Sequence, residues 1–421
     1  MNKYSRTNKN KPKNKIKQKA IRSRLNVILK GGKFLGEGSY GCVVSPAISC
    51  KINKSRKLSK SSTSMKSNNP TKPNKLNTTL DKSVSKIIIA PTKDDKEEIN
   101  ISNKLKQLDP KNKYFITFQD ACYIKKMPDK RSNTVKVEFD NDSHETYDIL
   151  DNKKYDKEYC PIDLRLKPIN LIMPYGGYDL LTIIDKKQTN PNIILIRNML
   201  FKNFKWCFQH LLIGIKTMHD SRIVNRDIKK ENIMMNYTLK DKQGNLEIKY
   251  IDFGLSSILT PAYCQKMSNI DMRGTEGLIS PELIISYYMY DNRSFDKIKT
   301  NINKYIKTML KSFNDDRLLN NFDNSILELY KKIQKEFTNN VILNKFFGTD
   351  ANKYDGYLQK GDIFAIGVTI YELLDYYKYE LKNSKVDNTK LFNLLQNMVC
   401  VEPEKRYNVL ECLKHSYFTG M

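Results

Sequence analysis

A chain of 421 residues has room for two or three ordinary domains, yet only 39% of it is apolar, below the ~45–50% of typical globular domains, so part of the length is expected to lie outside any core. No run of ~18 apolar residues is available to span a membrane, and MNKYSRTNKNKPKNKIKQK lacks the apolar stretch of a signal peptide, so a soluble, intracellular protein is expected. The eight cysteines (42, 50, 122, 160, 207, 264, 400 and 412) form no C-x-x-C pair and read as reduced thiols rather than a metal site, while the formal charge of +27 calls for a look at where that charge lies.

Residues 1–30 hold eleven Lys or Arg and no Asp or Glu, which predicts a disordered basic arm. Such an arm suits nonspecific contact with nucleic acid, an acidic partner or an anionic surface; the alternative is a solvated tail in a Lys- and Asn-rich chain. FLGEGSYGCVV follows, with glycines at 36, 38 and 41 and Val43 after them. A dinucleotide site would need a helix after the glycines, whereas Cys42, Val43 and Val44 favour a second strand. The glycines then cap a hairpin, either as a plain turn or to let backbone approach phosphate oxygens without a Cβ in the way. Residues 49–82 are low-complexity Lys, Ser, Asn and Thr, and a flexible loop is expected there.

VSKIIIA predicts an apolar strand whose one charge is Lys86, and KDDKEEINISNKLKQL predicts a helix with Glu98, Ile101 and Leu105 on one face. A lysine in a buried strand needs a partner, which Glu98 can supply; Glu97 is the rival, and an edge-strand lysine the plainer alternative. Residues 128–160 mix charges around one alternating run, VKVEF, expected as a short hairpin strand. In NRDIKKEN, Asp227 precedes Lys229 and Asn232, and the strand IKYIDFGLSS then presents Asp252, Phe253 and Gly254. Oxygen ligands at the ends of neighbouring strands suit octahedral Mg²⁺ carrying a nucleotide's phosphates, with the Asp227 carboxylate and Lys229 ammonium facing an incoming hydroxyl. Residues 287–357 predict two amphipathic helices, one with Ile302, Tyr305, Ile306, Met309 and Leu310 on a face, the other with Ile326, Leu329, Tyr330, Ile333 and Phe337.

GEGSYG, Lys86 with Glu98, LIMPYGGYDLL, NRDIKKEN, DFG, GTEGLISPE, GDIFAIG and PEKRYNVLECLKHSYF occur in the order of the eukaryotic-type serine/threonine protein kinases, which the chain resembles. GCVVSPAISC, VSKI and the Lys-, Asn- and Ile-rich composition are similar to the protein kinases of giant DNA viruses, which would place it in host cytoplasm or virion. The resemblance implies an α+β, two-lobed fold: a small, mainly antiparallel β lobe with one key helix (about 31–174), a hinge (about 175–179) and a larger helical lobe (about 180–421), with inserts at about 49–82, 128–160 and 287–357. It implies ATP and Mg²⁺ as cofactors and protein substrates with Ser or Thr acceptors. Leu35, Gly36, Glu37, Gly38, Ser39, Tyr40, Gly41, Cys42 and Val43 would cover the nucleotide, Lys86 and Glu98 would form an ion pair, and Met173, Tyr175, Gly176 and Asp179 would meet adenine and ribose. Asp227 and Lys229 would be catalytic, and Asn232 and Asp252 would hold the metal; Asp362 would brace the catalytic loop, and Glu282 with Arg406 would lock the large lobe.

The chain departs from the family pattern at Asn225, where a histidine is usual, and in SPE and HSYF. Every position with a chemical role keeps its residue type, which favours a working enzyme over a nucleotide-binding pseudokinase scaffold that recruits partners through the basic arm and helical insert. Lys229 and Thr275 match Ser/Thr-directed members. A purely nucleic-acid-binding protein is the third reading, and no RNA- or DNA-binding motif accompanies the charge. Finally, Asp271 stands three residues before Gly274, where a phosphorylated residue often holds the catalytic-loop arginine, so a pairing of Asp271 with Arg226 is expected; the alternatives are an exposed aspartate beside Arg273 and a switch at Ser268.

Overall fold

SVSKII makes a strand, Ser83–Ile88, because apolar and small residues fill both of its faces: Val84, Ile87 and Ile88 are buried, and the Ser85 hydroxyl accepts the Ile48 N–H at 2.8 Å. In the computed structural model, which describes residues 28–30, 33–38, 41–45, 47–48, 83–89, 91–124, 134–138, 159–163, 166–240, 243–290, 300, 328–329, 331–335, 341–348, 356–376 and 388–419, the chain divides into two units. The first takes its described residues from 1–92 and 118–175, and the second from 93–117 and 176–421.

The first unit is built on sheets. β2 (Lys33–Gly38), β3 (Gly41–Ser45), β4 (Ser83–Ile88), β8 (Ile169–Pro174) and β5 (Asp120–Tyr123) pair in that order, each antiparallel to its neighbour. A second sheet orders β1 (Ile28–Lys30), β6 (Thr134–Glu138) and β7 (Tyr159–Asp163), with β1 parallel to β6. Residues 135–138 of the alternating VKVEF run thus lie in a paired strand, and position 139 lies outside the described residues. The expectation that all eight cysteines are reduced is corrected: among the described residues Cys207, Cys264, Cys400 and Cys412 are free thiols, whereas Cys42 and Cys122 each take part in a disulfide. Spacing along a chain does not show which sulfurs folding brings within bonding distance.

The second unit is mainly helical. Helix α1 (Lys93–Leu108) belongs to it because Ile101 and Leu105, both fully buried, join Phe115 in its main core. Asp109 ends that helix and turns the chain by accepting the amides of Lys113, Tyr114 and Phe115 at 2.9, 2.7 and 3.2 Å. The core is completed by α4 (Phe204–Asp220), which buries Phe204, Cys207, Phe208, Leu211, Leu212, Ile215 and Met218, by α8 (Tyr357–Tyr376) and by α9 (Asn388–Met398). A hairpin of β11 (Ile233–Lys240) and β12 (Gln243–Tyr250) pairs with the short β9 (Tyr178–Asp179). No helix among the described residues is long and apolar enough to cross a membrane.

A second core gathers Val224, Leu259, Ile270, Ile279 and α6 (Pro281–Tyr290) around residues of the large insert. Residues 328–329 and 331–335 are helical, and Leu329 and Ile333, two members of the predicted second apolar face, are buried in it. The insert then supplies a helix that periodicity did not announce, α7 (Val341–Phe347), which buries Ile342, Phe346 and Phe347. The other predicted helix, the face of Ile302, Tyr305, Ile306, Met309 and Leu310, lies outside the described residues, as do residues 1–27, all of 49–82 and most of 128–160.

Candidate active site

Ile223 and Val224, buried completely, form β10 and pair with β13 (Ser257–Ile258), so the loop that carries Asp227 and the segment that follows Asp252 are pinned to each other. Below the loop, Asp362 of α8 is 2% exposed and spends its carboxylate on backbone: Oδ2 accepts the Asn225 N–H and Oδ1 the Arg226 N–H, each at 2.8 Å. His219 Nε2, also buried, lies 2.9 Å from the same Oδ2. Asn225 Oδ1 accepts the Asp227 N–H at 3.0 Å, and the Asn225 carbonyl accepts the Ser256 hydroxyl at 3.1 Å. Two residues here take left-handed backbone without being glycine, Arg226 at φ 69° and Asp252 at φ 57°.

These constraints aim the polar side chains at one point. Asp227 Oδ2 accepts from Asn232 Nδ2 at 2.9 Å and faces Lys229 Nζ at 3.0 Å, while Oδ1 accepts the Thr275 hydroxyl at 2.6 Å. Lys229 Nζ in turn donates to Thr275 Oγ1 at 3.0 Å. Since Asn232 Nδ2 also donates to the Asp227 carbonyl at 2.9 Å, its amide is oriented with the oxygen left to accept a cation. Asp252 is exposed, and the next residue, Phe253, is buried edge-on against Phe115 with ring centroids 5.9 Å apart. A Cβ on Gly254 would stand 3.4 Å from both Asp252 Oδ1 and Glu98 Oε2. The Glu98 carboxylate therefore reaches the D-F-G turn, and Glu98 is buried whereas Glu97 is exposed. An oxygen-rich set of Asp252 and Asn232 fits hard Mg²⁺.

The predicted nucleotide-covering residues belong to the first unit. Gly38 and Gly41 close the β2–β3 hairpin, Glu37 opposes Cys42 and Gly36 opposes Val43, with a break in register around Leu35; Ser39 and Tyr40 lie outside the described residues. Half-buried Lys86 sits on β4 between Val43 of β3 and Leu171 of β8, and Met173 opposes Val84. Tyr175 is 42% exposed. In the second unit, Gly176 has no room for a side chain, since a Cβ would come within 2.4 Å of Ile116 Cδ1. Asp179 caps the helix α2 (Leu180–Ile184): its two oxygens accept the amide and the hydroxyl of Thr182 at 2.8 and 2.7 Å.

Arg226 donates from Nη2 to both the carboxylate and the carbonyl of Asp271, the latter at 2.8 Å, so the pairing expected from the sequence is present; Arg273 also reaches Asp271, at 2.8 Å. The other expected lock is complete as well: Arg406 Nη1 and Nη2 donate to Glu282 Oε1 and Oε2 at 2.6 and 2.9 Å, with both side chains fully buried. Sequence reasoning passed over His219 and Tyr263. The first carried a faint signal, a histidine on the apolar face of LLIGIKTMHD; the second carried none.

Residues 169–297 match the protein kinase domain. A death-associated protein kinase of Caenorhabditis elegans is 36% identical over 76 residues, 18% of this chain and 5% of the relative. An SNF1-like protein kinase of Schizosaccharomyces pombe is 27% identical over 182 residues, 43% of this chain and 26% of the relative, and CBL-interacting protein kinase 5 of Oryza sativa subsp. japonica is 28% identical over 151 residues, 35% and 28%. The chain spans less than a third of the length of each of these relatives. With its small antiparallel-sheet unit and larger helical unit, the chain has the α+β, two-lobed fold of the eukaryotic-type protein kinases.

Proposed function

We propose that the chain is an ATP- and Mg²⁺-dependent protein kinase that phosphorylates serine and threonine hydroxyls of proteins. The observation that carries this reading is the Asp227 carboxylate, held by Asn232 and Lys229 and already accepting an aliphatic hydroxyl, that of Thr275, at 2.6 Å. An acceptor serine or threonine presents the same group. Asp227 Oδ1 takes or orients its proton, and the Lys229 ammonium offsets charge on the transferring phosphoryl. Bound ATP·Mg²⁺ supplies that phosphoryl group and the charge that neutralises it, with Asn232 and Asp252 as the metal's protein ligands. Lys86, Glu98 and the residue 35–43 hairpin are assigned to the phosphates, and Met173, Tyr175 and Gly176 to adenine. The carboxylate of Asp179, engaged twice by Thr182, can meet the ribose only by sharing those bonds.

Lys229 and Thr275 support Ser/Thr acceptors, and the Lys- and Asn-rich composition supports a likeness to giant-virus kinases acting in host cytoplasm or virion. The basic arm is assigned to nonspecific contact with acidic or nucleic-acid surfaces. The test is incubation with labelled ATP, Mg²⁺ and a generic basic protein, beside Asp227→Ala and Asp252→Ala, followed by phosphoamino-acid analysis. Phosphoserine or phosphothreonine from the wild type, reduced more than about tenfold in both variants, is expected. Nucleotide binding without transfer would replace this reading with the scaffold; phosphotyrosine alone would overturn the acceptor class.

A further inference from the structure

The insert's helix α7 ends against the activation segment, residues 259–273, the stretch between the D-F-G turn and Gly274. Phe347, 2% exposed, sets its ring edge-on to Tyr263, with centroids 5.8 Å apart and planes at 85°. The Phe347 carbonyl accepts Arg222 Nη2 at 2.9 Å, and Arg222 Nε donates to the Leu259 carbonyl at 3.0 Å. One arginine at the base of β10 thus ties the insert to the start of the activation segment. The helix cannot slide away cheaply, because Ile342 and Phe346 are buried in the same core as Val224, Leu259 and Ile270.

Tyr263 carries the contact onward. It stands in α5 (Pro261–Cys264), whose N-cap Thr260 accepts the Tyr263 amide at 3.2 Å, and its own carbonyl accepts Asn269 Nδ2 at 2.6 Å. Its hydroxyl accepts Arg226 Nη1 at 3.3 Å and donates to the Ser257 hydroxyl of β13 at 3.1 Å. Arg226 is the guanidinium that holds Asp271, and its side chain is 2% exposed. A buried guanidinium depends on every partner it has, since unmatched N–H groups there are costly. The contacts therefore run from Phe347 of the insert through Tyr263 to Arg226, the residue beside Asp227, and from Arg226 to Asp271.

From these contacts we infer that Phe347 and Tyr263 are positioning residues for phosphoryl transfer. The insert's last helix braces the activation segment, residues 259–273, against the catalytic loop, and keeps Arg226 and Asp271 paired. The insert is then part of what holds the site in working geometry, as well as a surface beside it. The inference rests on the kinase reading for its effect on turnover, though not for its effect on the segment's order.

The test compares wild type, Tyr263→Phe, Phe347→Ala and Phe347→Leu by hydrogen–deuterium exchange over 259–273, by thermal unfolding and by steady-state kinetics. Tyr263→Phe keeps the ring and removes the hydroxyl, so it should unfold near the wild-type temperature, exchange faster over 259–273, and lose about tenfold to a hundredfold in kcat with KM for ATP unchanged. Phe347→Ala should show the same split, and Phe347→Leu should recover part of it. Wild-type exchange over 259–273 in folded Tyr263→Phe would overturn the brace, and that variant decides the matter if Phe347→Ala fails to fold. Should the wild type transfer no phosphate at all, the kinase reading falls, while the exchange comparison still supports or overturns the brace.

Discussion

The side-chain oxygen of Asn225 accepts the backbone N–H of Asp227 at 3.0 Å, so the residue that departs from the family pattern is the one that sets the turn before the proposed base. Asn225→Ala would leave that buried amide without its acceptor, at a cost of about 1–3 kcal/mol concentrated in the loop, and kcat should fall by about tenfold or more. In Asn225→His, Nδ1 lies the same number of bonds from Cα and can accept the same amide, so kcat should stay near the wild-type value. Equal kcat in the alanine variant and wild type would remove Asn225 from the positioning of Asp227.

Asp271 already places a carboxylate on Arg226, which is where a phosphate would act. Phosphatase-treated wild type should therefore keep its activity, and treated Asp271→Asn should lose most of it. Ser268→Ala should behave as wild type. Activity that vanishes on phosphatase treatment and is absent in Ser268→Ala would transfer the role to a modified serine.

Arg406 and Glu282 pair through two hydrogen bonds with no exposure to solvent, and the Arg406 guanidinium also lies 5.1 Å from the Phe364 ring. Removing one partner strands a buried charge, so Glu282→Leu and Arg406→Met should each cost about 3–5 kcal/mol in denaturant unfolding. The double variant should recover much of the loss. Additive losses in the double variant would show that the two side chains act independently.

Glu404 joins the insert to the loop of Arg406. Its carboxylate meets Lys332 at 2.8 Å, Lys345 at 3.4 Å and the Tyr357 hydroxyl. Burial alone would raise its pKa, but the hydrogen bonds from Lys332 and Tyr357 and the Lys332 charge together outweigh that and bring it from 4.5 to about 2. A carboxyl depressed in the folded state adds stability above its unfolded pKa, and that contribution is lost as pH falls through the folded value. Wild type should thus lose stability more steeply than Glu404→Gln between about pH 4.5 and about 2, by a modest amount because the side chain is 38% exposed. Parallel pH profiles for the two proteins would contradict the assignment.

Asp227, Lys229 and Asn232 were legible as a group because they fall within one short loop, although the contacts that turn them toward one another come from residues far along the chain, Asp362 among them. Asp362 and the Glu282–Arg406 pair were legible only through the family resemblance, since no periodicity links residues so far apart. The brace was not legible. Arg222 and Phe347 meet across 125 positions, and α7 is seven residues long, too short for its Ile342 and Phe346 to stand out as a face. The disulfide state of Cys42 and Cys122 was misread for a similar reason, because sulfur pairing depends on three-dimensional proximity. The helical pattern put Glu98 on the face of Ile101 and Leu105, and Glu98 is buried while Glu97 is exposed.

The left-handed backbone at Asp252 sets the metal-holding role proposed for its carboxylate against the steric cost of its Cβ. Glycine would adopt φ 57° without the steric cost that a Cβ brings, a cost of about 1 kcal/mol relieved on substitution. Asp252→Gly should accordingly melt at or above the wild-type temperature while transferring no phosphate, and a lower melting temperature would show that the carboxylate itself supports the fold. A lineage released from turnover would have an easy route to a sturdier protein at this position. The chain keeps an aspartate there, and Arg226 takes the same backbone region, so each holds a conformation that glycine would enter at lower steric cost, a burden consistent with the metal-holding role proposed for Asp252.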